Sequence, residues 1–103
     1  MTDDTEGPQI SAAAMERWQG LAEETPLRLT LTRGDLDNLM LALRNMAIGQ
    51  SELVAALSAH TNQDLNGCVD AMMRAGALNR AAYDRVTALI AAVMASAEPE
   101  AAP

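Results

Sequence analysis

Three residues carry the chemistry on offer in this sequence. His60, Asp64 and Cys68 follow one another at intervals of four. On a continuous helix they would stack along one face, with imidazole, carboxylate and thiol each one turn apart. A histidine that activates a cysteine must reach its sulfur, and two turns separate His60 from Cys68 by roughly 12 Å of rise. The trio therefore does not read as a nucleophile–base pair. A zinc site needs more ligands than one histidine and one cysteine, unless subunits share it. The sequence shows no glycine-rich phosphate loop, no paired-carboxylate pocket and no nucleophile elbow. We expect no enzyme, no catalytic residue, no metal, no cofactor and no small-molecule substrate.

The elements around these residues say more. The chain has 103 residues, half of them apolar, yet phenylalanine is absent and Trp18 and Tyr83 are the sole aromatics. A core must come from Leu, Met, Val and Ala, which favours helices, and alanine-lined faces let helices approach closely. Seven methionines suit adaptable packing. A domain this small buries a modest share of its surface and gains from a partner. The fold class expected is mainly α: a small domain of three to five helices, with one short strand at 27–32 pairing across a homodimer.

Charge is unevenly placed. The net charge is −7, and all of it falls in residues 1–25 and 98–103. The middle balances Arg28, Arg33 and Arg44 with Asp35, Asp37 and Glu52, then Asp64, Asp70 and Asp84 with Arg74, Arg80 and Arg85. Lysine is absent. An extended basic surface for nucleic acid is therefore missing, although a short arginine-tipped element would not need one. One cysteine excludes an internal disulfide framework, and no signal peptide or membrane-length apolar run is visible. The location expected is cytoplasmic, with no membrane partner.

Residues 1–9 read as a disordered acidic tail, 10–97 as a single helical domain and 98–103 as a second tail. Ser11 is placed to cap a helix over 11–24, with Trp18 as its docking anchor. Thr25-Pro26 ends it. Leu27, Leu29 and Leu31 then alternate with Arg28, Thr30 and Thr32, which is strand periodicity. No other segment alternates in this way, so the same strand in a second copy is the simplest partner. Thr32 and Asp35 resemble a capping box that opens a helix near Gly34.

Two heptad rows follow: Leu36, Leu43, Gln50, Leu57 and Leu39, Met46, Leu53, His60. Met40 widens the stripe. Two outcomes stay open at Gly49: a break giving helices over 34–47 and 51–62, or a close-packing point inside one long helix. Gln50 is a register-setting polar residue in the second case and a turn residue in the first. The register slips near 61–64, which predicts a bend. Gly76 and Asn79, with Tyr83 positioned to meet Leu78, predict a further turn between helices over 64–75 and 79–96.

Read as strand, helix, turn, helix, residues 27–60 resemble the ribbon-helix-helix family of DNA-binding repressors and antitoxins. LRLTLT would be the ribbon, GDLDNLMLALRNM the first helix, AIGQ the turn and SELVAAL the second helix. The resemblance implies an intertwined dimer whose paired ribbons lie in the major groove. Arg28, Thr30 and Thr32 would face DNA, with Arg28 on a guanine edge, and the N-terminal end of the second helix would approach a phosphate. The competing expectation is a homo-oligomeric helical interaction protein: an adaptor, an inhibitor of phage or plasmid type, or an assembly factor. It would contact itself and another protein through Trp18, Leu27, Leu29, Leu31, Leu36, Leu39, Met40, Leu43, Met46, Leu53 and Leu57.

Overall fold

A computed structural model describes residues 9–100. The element order is α1 (Ala12–Gln19), β1 (Leu27–Arg28), α2 (Arg33–Thr61), α3 (Leu65–Ser96) and β2 (Glu98–Pro99). The fold is mainly α, as its alanine- and leucine-rich composition predicts. No helix among the described residues is long and apolar enough to cross a membrane. The chain forms two compact units, one of Met1–Leu39 with Asp84–Pro103 and one of Met40–Tyr83. Helices α2 and α3 contribute to both.

In the first unit, Ser11 caps α1 by accepting the Ala14 N–H at 3.0 Å. The helix stops at Gln19 rather than Glu24, because Gly20 takes over as its C-cap. Arg17 anchors α1 on the C-terminal end of α3, where Nη2 donates to the carbonyls of Met94 (2.6 Å) and Ala95 (3.1 Å). A guanidinium there satisfies orphan carbonyls and meets the negative end of the helix dipole. The capping box also forms: the Asp35 N–H donates to Thr32 Oγ1 at 3.1 Å, and the Thr32 N–H donates to Asp35 Oδ2 at 2.9 Å.

The expected strand is corrected twice. It covers Leu27–Arg28 instead of 27–32, and its antiparallel partner lies in the same chain: Leu27 faces Pro99 and Arg28 faces Glu98. The Glu100 N–H extends the pairing by donating to the Pro26 carbonyl at 2.8 Å. The second tail, expected to fray from residue 98, is therefore tied down at its start. The first tail lies outside the described residues up to position 8.

In the second unit, α2 runs unbroken through Gly49, so the expected helices at 34–47 and 51–62 are one. Helix α3 likewise runs through Gly76, merging those at 64–75 and 79–96. Gly76 is exposed with open space where a Cβ would stand, and no glycine among the described residues has a positive φ. Asn79, expected to open the second of those helices, lies inside α3, with Oδ1 3.0 Å from the position of a Cβ at Gly49.

The one sharp turn of this unit lies where the heptad register slips. The Asp64 N–H donates to Ala59 O at 2.8 Å and the Gln63 N–H to His60 O at 3.0 Å, with Gln63 at φ 62°. This is a Schellman closure with glutamine, not glycine, in the left-handed position. Asp64 then caps α3, its Oδ1 accepting the Gly67 N–H at 2.9 Å. A Cβ on residue 67 would collide with the Asp64 carboxylate, so glycine there leaves the cap its room.

Candidate interaction surface

The interior of the Met40–Tyr83 hairpin is built from the smallest residues in the chain. Ala42, Gly49 and Ala56 on α2 are buried, as are Cys68, Ala75 and Ala82 on α3, each set spaced by seven; Ala71 joins them. Small residues in register let two antiparallel helices pack with their backbones close. The atoms that would meet a Cβ at Gly49 are Asn79 Oδ1 at 3.0 Å and Leu78 Cβ at 3.7 Å. Beside the small rows, Arg74 Nη2 and Glu52 Oε1 pair at 3.1 Å, half-exposed and worth under about 1 kcal/mol.

The large apolar residues lie outside this interior. No large side chain among the described residues is fully buried. Leu36, Leu39, Leu43, Met46, Leu53 and Leu57, the two heptad rows, are 39% to 67% exposed, and Met40 is exposed with them. Gln50 stands among them, also exposed. On α3, Leu65, Val69, Met72 and Tyr83 are exposed in the same way.

Their placement follows from helix geometry. Leu43, Gln50 and Leu57 each come one residue after Ala42, Gly49 and Ala56. Val69, Met72 and Tyr83 each come one residue after Cys68, Ala71 and Ala82. One residue is a rotation of about 100°. In two antiparallel helices, the same rotational offset from the shared interior brings both outer rows to the same side. The hairpin thus carries a small-residue seam inside and an apolar face on one flank, while Val54 and Met73, two residues from the seam positions Ala56 and Ala71, are exposed as well.

The other predicted interface residues lie, like Leu36 and Leu39, in the first unit. Trp18 is half-buried beside a depression that Leu21, Thr25 and Leu27 also line. Leu27 and Leu31 are half-buried, whereas Leu29 is 45% exposed. The alternation therefore does not give one buried leucine face. Arg28, Thr30 and Thr32 are exposed.

The line of His60, Asp64 and Cys68 does not form. Thr61 ends α2, so His60 and Cys68 sit on different helices, and the Asp64 carboxylate serves as a helix cap. Cys68 is a free, buried thiol whose Sγ lies 4.0 Å from Met72 Sδ. No group of three His, Cys, Asp or Glu residues among those described converges to hold a metal.

Sequence reasoning named the leucine rows but missed the row on which α2 packs. The signal was present: alanine, glycine, alanine at 42, 49 and 56, mirrored beyond the turn by cysteine, alanine, alanine at 68, 75 and 82. Compared with known proteins, the chain matches no family model, no curated protein and no solved structure.

Proposed function

We propose that this chain is a small non-enzymatic regulatory or adaptor protein that acts as a homo-oligomer through protein–protein contacts, in the manner of an inhibitor or assembly factor of phage or plasmid type. One observation carries the reading. The hairpin closes on alanine, glycine and cysteine, and so leaves its leucines and methionines on an outer face. Contiguous apolar surface of this kind marks a site of association. Its methionines would tolerate more than one docking shape. A cytoplasmic setting belongs to the same proposal, since a lone thiol kept reduced suits that compartment.

The test is the molar mass in solution. Multi-angle light scattering at micromolar concentration is expected to give at least twice the mass of the chain, 10.9 kDa; a monomer would sink the self-association. A pull-down from the native host is expected to recover a second protein, and recovery of the chain with itself only would count against an adaptor role.

DNA binding of the ribbon-helix-helix kind is the second reading, and the exposure of Arg28, Thr30 and Thr32 favours it. It has less to stand on. The strand that would be the ribbon pairs within its own chain, and α2 has no turn at Gly49 to start a second helix. Glu52, at the place of the expected phosphate contact, is paired with Arg74. A shifted band with DNA from upstream of its own gene at low salt, weakened by Arg28→Ala, would revive it.

A further inference from the structure

Resting on that reading, we infer that the occupant of the outer face is a second copy of the hairpin, related by a two-fold axis that crosses the helices at the level of Gln50 and Asn79, with the two Asn62–Asp64 turns at opposite ends. Three observations support this arrangement.

The first is size. Leu43, Leu53 and Leu57 on α2, with Leu65, Met72 and Tyr83 on α3, are about half to 70% exposed. Together with their neighbours in the same rows they offer on the order of 800 Å² per copy, the share each partner contributes to an ordinary stable interface.

The second is charge. Within Met40–Tyr83 the charges of Arg44, Arg74 and Arg80 cancel those of Glu52, Asp64 and Asp70. Two hairpins therefore meet without repulsion although each chain carries −7.

The third is register. Gln50 and Asn79 are exposed amides in the middle of an apolar face. They sit at one level, because Asn79 lies against Gly49, the residue before Gln50. Leucines and methionines flank them toward the turn and toward the open end. An amide carries both donors and an acceptor, so it can pair with its own symmetry mate. A polar residue in an apolar seam fixes which levels meet, because any slip buries it against leucine unsatisfied. With the axis at this level, Gln50 faces Gln50 of the second copy and Asn79 faces Asn79.

Cysteine cross-linking in a Cys68→Ala background tests the arrangement. Gln50→Cys, treated with a short bis-maleimide, is expected to give covalent dimer at least tenfold faster than Leu57→Cys. The latter lies seven residues from the axis, so its two copies would stand roughly 21 Å apart along the bundle. Asn79→Cys supplies a second site with the same expectation, should Gln50→Cys lose helicity by circular dichroism. If light scattering gives a dimer and neither position links faster than Leu57→Cys, the two-fold arrangement is overturned while self-association stands. If a mixture of Gln50→Cys and Asn79→Cys links to each other faster than to themselves, the turns lie at the same end and the arrangement is likewise overturned. A monomer overturns both.

Discussion

The two faces of the Met40–Tyr83 hairpin differ by a single residue step and by everything that follows from side-chain size. The inner row of α2 is alanine, glycine, alanine and is buried; the next residue in each heptad is leucine, glutamine, leucine and is exposed. An ordinary amphipathic hairpin buries its leucines between its own helices. Here the small row wins that place, because helices in close contact gain backbone and Cβ packing that a leucine would hold apart. The loss is hydrophobic burial, since alanines contribute little apolar area. The outer face holds most of the area that could make up the difference, so stability and association are coupled through it.

The largest effect is expected where that coupling is cut. Burying a leucine is worth roughly 1.5–3 kcal/mol. In a two-fold dimer each substitution counts twice, so Leu57→Ser should cost about 3–6 kcal/mol of association, a hundred-fold to more than a thousand-fold rise in the dissociation constant. Sedimentation or light scattering across a dilution series would read it. The same variant should show a melting temperature that no longer rises with protein concentration. An unchanged mass at low micromolar concentration would mean that the outer face is not the contact.

The inner face should respond in a different way. Gly49→Leu places a large side chain against Asn79 and Leu78, and overpacking of this kind costs about 1–3 kcal/mol. Its signature would be a lower midpoint of unfolding at every protein concentration, in contrast to the dilution-dependent loss from Leu57→Ser. Gly49→Ala is the finer probe. The helix gains about 1 kcal/mol of propensity, against a Cβ that forces the flexible Asn79 amide to give way. A change within roughly 1 kcal/mol of zero is expected, and a large destabilisation would show that Asn79 cannot move.

This contrast explains which parts of the fold were legible in the sequence. Helix ends written in local chemistry were: Ser11, and Thr32 with Asp35, cap as their spacing predicts, since a cap needs partners only two or three residues away. The bend near 61–64 was visible as a slip in the heptads. The break predicted at Gly76 does not form, and at Gly49, where a break and a close approach were both open, only the facing helix decides between them. The two-residue strand was drawn toward the wrong partner for the same reason: Glu98–Pro99 has no alternation to announce it. The leucine rows were correctly found as apolar rows, but heptad spacing does not say which of two adjacent rows a helix spends on its own chain.

A smaller effect is expected at the start of α2, apart from either face of the hairpin. Thr32→Ala removes the hydroxyl that accepts the Asp35 N–H, and losses of such caps cost about 1 kcal/mol. A urea titration should show a lower midpoint. Because the cap lies outside Met40–Tyr83, the association measured by dilution should hold within about threefold. A shift in association as large as that of Leu57→Ser would mean that the capped end, rather than the hairpin face, forms the contact.

The smallest expected effect has the opposite sign and lies at the turn joining the two rows. Gln63 holds φ at 62°, a conformation that costs a residue with a Cβ roughly 1–2 kcal/mol and costs glycine nothing comparable. Glycine in turn adds freedom to the unfolded chain, which takes back part of the gain. The net for Gln63→Gly is a stabilisation of about 0.5–1 kcal/mol, read as a higher urea midpoint with an unchanged slope. The turn sets the level at which Ala56 meets Cys68 and Ala71, so relieving its strain should stabilise the inner seam without altering the outer rows. Gln63→Gly should therefore raise the midpoint by the same amount in the Leu57→Ser background as in the parent chain. A gain confined to the associated form would show that the turn conformation is imposed by association and is not a property of the hairpin itself.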